Sequence, residues 1–572
     1  MIRNKRKYLM PAALVAAVLL LAASAAAMVR QDQAQPGPQT PAQAIPSQAT
    51  PGQGSSQTAT PARSHNGADT TRARNRGGLS QIVASQKTAR YFDSIKNDPP
   101  LLLAFLKAMP KGADLHNHLS GAVYAEDYIK MAIANQLCVN PTDLALALPP
   151  CSTGQRIDQA LKLNFALYDK LIDAWSMRNS QLSGESGHDH FFAAFGKFGA
   201  AINDQTISEM LADALSQAAS DHVSSVELMF TPNSTNIRKL AQGRWNDNFD
   251  AMTRALTDAG MPAEVKAGLD FVKQVTIEAR ARMGCKSAMP RAGCSVGLRF
   301  LFQGQRGSPR EQSFALFLAG FQMAMHPENK DPWTGEPLVV GINLVQPEDS
   351  LVAIQDFSIQ MAMLDYLHTK YPQVHIALHA GELAPGLVPA ADLAFHIRES
   401  IERGHAERIG HGVDVMSEDK PYELLRELAS RRIAVEICLS SNDQILGVRG
   451  SRHPLSAFIK YGVPVTLATD DEGVARSSMT NEYLKAAEEQ ALDYTELKAM
   501  ARTSLQHAFV TGESLWKDAR HFVRVEQCRE SNPTSVTKEC TDFLRLNKKA
   551  DLQWRLEQDF DDFEAGVARE HR

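Results

Sequence analysis

Two histidines separated by one residue, His116 and His118, close a short apolar run in a chain of 572 residues. On a strand, that spacing puts both imidazoles on the same face. Other short runs also end in groups that can do chemistry. His379 and Glu382 follow one, His411 follows the next, and the pair Asp470 and Asp471 follows the last. Imidazoles and a carboxylate gathered at one place suit a borderline-soft divalent cation, most simply zinc. Zinc lowers the pKa of a bound water to about 7 and so offers a nucleophile for hydrolysis at neutral pH. Taken singly, each group has a plainer reading: a chance His-x-His, a turn or helix cap at Asp470–Asp471, a loop salt bridge at Glu382. Their recurrence at the ends of separate strand-like runs is what those plain readings do not explain.

Something must carry those ends to one place. Short β-like runs alternate with longer helical stretches at 113–118, 223–230, 296–302, 339–345, 374–379, 408–410, 434–439 and 465–469. The sixth is too short to stand by itself and is counted on the resemblance given below. The alternation predicts an α/β fold, a (β/α)8 TIM-type barrel, in which strand C-termini converge on one mouth where active sites are built. The span from 113 to 469 exceeds the roughly 250 residues usual for this fold. Insertions are therefore expected, most plainly between the first and second runs.

Composition narrows the field. The chain is 44% hydrophobic and 22% charged, which suits a globular body and excludes a coiled coil, a collagen-like fibre or a wholly disordered chain. Lys and Arg total 60 against 65 Asp and Glu, a net charge of -5, so no basic excess exists to grip nucleic acid. Residues 1–27 combine Arg3, Lys5, Arg6 and Lys7 with an apolar stretch and a run of alanines. This pattern is expected of a signal peptide for a secreted or periplasmic protein, with no stable membrane insertion after cleavage; an uncleaved anchor is the alternative. Residues 28–78 read as a disordered low-complexity linker, 79–108 as an N-terminal helical extension, 109–515 as the barrel and 516–572 as a C-terminal helical extension. Six of the seven cysteines fall as close pairs, Cys138/Cys151, Cys285/Cys294 and Cys528/Cys540. Local disulfides in an oxidising compartment fit that spacing; free thiols or a structural zinc are the alternatives, and no C-x-x-C supports zinc. Cys438 lies in an apolar run and reads as a buried thiol.

Five segments, in order, resemble the successive motifs of the adenosine deaminase family: MPKGADLHNHLSGA at 109–122, LHAGE at 378–382, ERIGHG at 407–412, EICLSSN at 436–442 and VTLATDD at 465–471. The resemblance runs from about 109 to 510. With the paired cysteines, the N-terminal signal and the insertion, it is most like the secreted growth-factor-like subgroup. It implies zinc-dependent hydrolytic deamination of adenosine and 2'-deoxyadenosine to inosine and 2'-deoxyinosine plus ammonia. It implies one zinc held by His116, His118, His379 and Asp470. Glu382 would carry a proton to purine N1, and His411 would orient or deprotonate the zinc-bound water. Asp471 would hydrogen-bond that water and the N7 side of the base. Phe191, Phe192 and Phe195 lie in a stretch similar to the helix that covers the purine and ribose. The subgroup also implies a homodimer through N-terminal helices; packing of these helices against the barrel within one chain is the alternative. The small-molecule partner expected is a purine nucleoside. No Lys lies in 339–345 to bridge a second metal, and the His-x-Glu with Pro-Cys-x-x-Cys pattern of nucleobase deaminases on nucleic acid is absent.

Two positions depart from the family pattern. Ser120 stands where an acidic residue usually grips the ribose 5'-hydroxyl, and Gln346 stands where Gly usually offers its N–H to purine N3. A residue with a Cβ tolerates positive φ poorly. These departures keep two alternatives open: a deaminase of another 6-aminopurine or modified nucleoside, and a secreted purine-binding or signalling protein.

Overall fold

The computed structural model describes residues 68–532 and 535–571, with side chains from 81 onward. The expected signal peptide at 1–27 lies outside the described residues, as does most of the expected linker. Eight strands form the centre: β1 (Gly112–His118), β2 (Val223–Phe230), β3 (Gly297–Gln305), β4 (Val339–Val345), β5 (His375–Ala380), β6 (Arg408–His411), β7 (Ala434–Ile437) and β8 (Val465–Leu467). They pair in sequence order, every neighbour parallel. The circle closes where Asn117 bridges Asp470. There the His118 N–H donates to Asp470 O at 3.0 Å and the Asp470 N–H donates to His116 O at 2.8 Å. The expected (β/α)8 barrel is the observed fold.

Strands covered on both faces read as near-continuous apolar runs rather than alternating ones. β4 shows this, with all seven residues buried. Helices fill the outer ring. The helix Tyr494–His507 starts in a reciprocal cap between Asp493 and Glu496. It lies so close to the start of β1 that a Cβ at Gly112, where φ is +70°, would overlap the Ala501 carbonyl. Two strands stop earlier than the sequence suggested. β7 ends at Ile437, because Ser440, Ser441 and Asn442 bond to Glu482, Asp470 and His411 and begin the helix Leu439–Leu446 instead of extending the ladder. β8 ends at Leu467, because the Thr469 hydroxyl turns to Asp114 on β1.

The insertion after β1 carries a three-stranded antiparallel sheet, Leu146–Ala147, Cys138–Val139 and Gln155–Arg156, tied by a Cys138–Cys151 disulfide. Cys285–Cys294 and Cys528–Cys540 are also bridged, and Cys438 is a buried free thiol. The N-terminal helix starts at Ala68 rather than at 79, so residues 68–78, expected in the linker, are helical. It packs along the last helix, Lys548–Glu570, of the same chain. Ser85 Oγ donates to Glu564 Oε1 at 2.9 Å, and Phe92 joins Phe105 and Tyr494 in an aromatic cluster. The C-terminal extension is not helical throughout. It opens with an antiparallel pair, Trp516–Asp518 and Val523–Arg524, and has a small core of its own around Trp516, Cys528, Cys540 and Trp554. Among the described residues no helix is long and apolar enough to cross a membrane.

Candidate functional site

At the C-terminal mouth of the barrel, four ligand-type atoms converge. His116 Nε2 and His118 Nε2 lie 3.0 and 3.1 Å from His379 Nε2. Asp470 Oδ1 lies 3.5 Å from His116 Nε2 and 3.2 Å from His118 Nε2. A tetrahedron with metal–ligand bonds of about 2.0 Å has edges of about 3.3 Å. Unprotonated ring nitrogens facing one another at these distances repel unless a cation lies between them, and three imidazoles with one carboxylate form a zinc-type donor set.

The back of each ligand is fixed. The His116 Nδ1–H donates to Glu436 Oε2 at 2.7 Å, and the His379 Nδ1–H donates to Asn343 Oδ1 at 2.9 Å. The Gln303 side-chain amide meets His118 Nδ1 at 3.0 Å, and a metal on Nε2 requires its oxygen rather than its nitrogen to face that ring N–H. Such outer contacts set the tautomer and turn Nε2 inward. Ser441 Oγ donates to Asp470 Oδ2 at 2.6 Å and leaves Oδ1 for the centre. Glu436 is in turn paired with Arg408, which also reaches Glu227 at 2.7 Å. The electrostatics ask for positive charge here. Burial alone would lower the His116 pKa, yet Asp470 and Glu436 override it and push it up to about 10. Burial, then His116 and His118, hold His379 well below its ordinary value.

Local backbone is bent to bring these groups in. Asp470 and His411 hold φ of +58° and +69°. Such conformations cost a non-glycine residue on the order of 1–3 kcal/mol and persist only when the surroundings enforce them. For Asp470 the enforcement is its pair of hydrogen bonds to β1. Gly410 serves by absence, since a Cβ there would overlap the His116 ring.

Around the centre sit three more titratable groups. Asn442 Nδ2 donates to His411 Nδ1 at 3.0 Å, and His453 Nε2 donates to Asn442 Oδ1 at 3.1 Å. This relay makes His411 the Nε2–H tautomer. Burial pushes its pKa down to about 3, so the ring is neutral. Its Nε2 is buried, lies 3.8 Å from Glu382 Oε1 and has no hydrogen-bond partner among the described residues. Burial, then Asp470 and Glu348, push the Glu382 carboxyl well above its usual range. Asp471 Oδ1 is likewise buried and unpartnered among the described residues, and a Cβ at Gly121 would overlap it.

A cavity of about 430 Å³ opens onto this centre, lined by His118, His379, Glu382, Asp470 and Asp471 on one side and by Ser120, Phe191, Phe192, Phe195 and Gln346 on the others. His116 and His411 lie buried beneath it. The phenylalanines come from the helix Gly187–Phe198, whose first turn is capped by the Ser186 side chain accepting from the Asp189 N–H. Ser120 Oγ makes no hydrogen bond among the described residues, while the Ser120 carbonyl accepts from the Tyr128 hydroxyl at 2.6 Å. Gln346 does adopt positive φ, +86°, and is held there by its own Oε1, which accepts the Gly307 N–H at 2.9 Å. Trp175 is core, its indole N–H donating to Leu144 O, and His188 pairs with Asp349 at 3.1 Å.

Sequence reasoning missed the supports: Glu436, Asn343, Gln303, Ser441, Asn442, His453 and Glu348. Two of them left a signal. Asn343 and Glu436 are single polar residues inside runs that are otherwise apolar, and a polar group buried on a central strand requires a buried partner.

Residues 337–517 match the family model described as adenosine deaminase. The chain is 33% identical over 139 residues to an adenosine deaminase of Shewanella woodyi, covering 24% of this chain and 39% of that protein. It is 30% identical over 182 residues to an adenine deaminase of Rhizobium leguminosarum, covering 32% of this chain and 51% of that protein. The matched stretch thus spans only about 39% to 51% of these relatives' length. Among solved structures, an Arabidopsis N6-mAMP deaminase superposes with a TM-score of 0.46 and 20% identity, covering 71% of this chain and 95% of that one.

Proposed function

We propose that the chain, whose residues 337–517 match the adenosine deaminase family model, is a zinc-dependent hydrolase converting adenosine and 2'-deoxyadenosine to inosine and 2'-deoxyinosine with release of ammonia. One observation carries the reading: Nε2 of His116, His118 and His379 and Oδ1 of Asp470 meet beside Glu382, at the floor of a phenylalanine-walled cavity. Zinc, when bound by these four residues, supplies a Lewis acid that brings water's pKa to about 7.

The remaining work falls to this chain's own groups. Attack at C6 breaks the aromaticity of the base, so N1 must gain a proton in the transition state. Glu382, whose carboxyl burial and then Asp470 and Glu348 hold well above its usual range, can deliver that proton to N1. His411 presents Nε2–H as a donor, which favours orienting the attacking oxygen over taking its proton. Asp471, whose carboxyl burial and then Asp470 hold well above its usual range, can in its protonated form donate from Oδ1 to N7 of the base. Phe191, Phe192 and Phe195 stack on the purine and exclude bulk water. The C6–N6 bond then breaks: one proton of the consumed water leaves with ammonia, the other replaces the proton that Glu382 gave to N1, and the 6-oxopurine remains.

A second reading is a different 6-aminopurine substrate. Ser120 and Gln346 support it, because they replace the groups expected to recognise the sugar and N3, and because a similar stretch occurs in an adenine deaminase. Export from the cytoplasm is part of the proposal, and three disulfides favour an oxidising compartment. The deciding experiment is an ultraviolet assay of zinc-loaded protein with adenosine, 2'-deoxyadenosine and adenine, beside Glu382→Gln. Conversion of a nucleoside, absent in the variant, is expected. Conversion of adenine alone would move the substrate to the free base, and inertness toward every 6-aminopurine would overturn the enzymatic reading.

A further inference from the structure

The other end of the barrel holds a second cavity, of about 530 Å³, where β5, β6 and β7 begin. Its walls are rich in cations. Arg408 is neutralised by Glu227 and Glu436, Arg431 bonds Glu427 at 2.9 Å, and the one lining acid, Glu407, is engaged by His375 at 2.9 Å. Two positive charges remain. The Arg432 guanidinium has no hydrogen-bond or ion-pair partner among the described residues. Lys549 Nζ, which carries three donors, reaches a single acceptor, Gln506 O, at 3.2 Å. Arg432 also stands at φ +56°, at the C-terminal end of the helix Pro421–Arg431, a position that glycine fills without strain. A third group completes the set, since His507 lines the cavity and its buried Nε2 has no hydrogen-bond partner among the described residues.

We propose that this cavity binds a phosphate-type oxyanion, with Arg432 and Lys549 as its charged partners and His507 as its third contact. A guanidinium and an ammonium around one cavity match the acceptors of a tetrahedral oxyanion, and charge-assisted bonds of this kind are stronger than neutral ones. The field at His507 has the corresponding sign. Burial first, and then Arg432, Arg408 and Lys549, lower its pKa to about 3 against Glu436, and of these cations Arg432 and Lys549 have no carboxylate partner among the described residues. A bound oxyanion would offset this uncompensated charge. The face of Phe509 that stacks on His375 at 4.3 Å and its Arg408 contact at 3.8 Å give the cavity a rigid floor.

The test is calorimetric titration of the full-length, zinc-loaded protein with inorganic phosphate and, separately, ribose 5-phosphate. Binding with Kd below about 1 mM is expected for at least one of them. Arg432→Gln and Lys549→Gln should each weaken it by roughly tenfold, while deamination at the far mouth is unchanged. Preference for ribose 5-phosphate would mark the occupant as a phosphorylated metabolite, and equal binding would mark it as free phosphate; either supports the site. Absence of binding by both probes, or binding unaltered in both folded variants, would overturn it. Arg432 is solvent-exposed, so Arg432→Gln remains a folded control if Lys549→Gln does not fold.

Discussion

Glu348 accepts the backbone N–H of Glu382 at 2.8 Å through Oε2, and through Oε1 it accepts that of Gly381 at 3.1 Å. One buried carboxylate thus sets the turn that aims another. Glu348 is itself held by His396 Nδ1 at 2.6 Å and by Arg306, whose Nη2 also donates to the carbonyl of His379. The proposed proton carrier and one of the proposed metal ligands are therefore positioned by one ionic cluster.

Glu348→Gln should lower kcat by about 10- to 100-fold with zinc content intact, as losses of outer contacts commonly do. A second readout separates positioning from general damage. The charge of Glu348 helps raise the pKa of Glu382. Its removal should move the alkaline limb of the kcat profile to lower pH, whereas an unmoved limb would refute the coupling.

Acid stability should carry the mark of the same residue. Burial would raise the Glu348 pKa, but Arg306 and His396 bring it down from 4.5 to about 2. A carboxylate depressed in the folded state contributes stability that is present above pH 4.5 and lost as pH falls towards 2. The shift corresponds to on the order of 3 kcal/mol. Urea unfolding of the wild type should steepen its pH dependence across that window, and Glu348→Gln should flatten it.

Two glycines give opposite phenotypes. Gly410→Ala pushes on the His116 ring, so it should lose zinc as well as turnover. Gly121→Ala pushes on the Asp471 carboxylate and should lose turnover while keeping stoichiometric zinc. Metal analysis beside the activity assay tells them apart, and retained zinc in Gly410→Ala would contradict the placement of His116.

Asn442→Asp removes the donor to His411 Nδ1 and replaces it with an acceptor. The ring should change to the Nδ1–H tautomer and lose the Nε2–H that lies beside Glu382. Turnover should fall by on the order of 10²-fold or more, the scale of losing an oriented donor. Nitrogen-15 shifts of His411 report the tautomer directly, and an unchanged tautomer with unchanged rate would refute the relay.

How much of this was written in the sequence differs by residue. The strand-end histidines and Asp470–Asp471 were legible, because a barrel gathers strand ends and so turns separation in sequence into proximity. The strand positions were legible because fully buried parallel strands are apolar throughout. The last residues of β7 and β8 were not, since side-chain bonds from Ser440 to Asn442 and from Thr469 compete with the ladder there. Arg408 with Glu227 and Glu436, and Glu348 with Arg306 and His396, were out of reach. Each pairs residues from different strands or loops, and no periodicity marks a partner so far along the chain. Gln346 sat between the two cases: its misfit to positive φ could be read, but the Gly307 amide that holds it there could not.

The closing of the barrel has a consequence in time. His116 and His118 lie on the first strand and Asp470 just beyond the last, and their backbones form the seam between them. During synthesis the first two histidines emerge more than three hundred residues before the carboxylate that completes their set. A chain cut or stalled before Asp470 owns three of the proposed ligands without the fourth, and its first strand has nothing to close against. If these four residues hold the metal, their set is complete only once the first and last strands have met, so full coordination belongs to the end of folding.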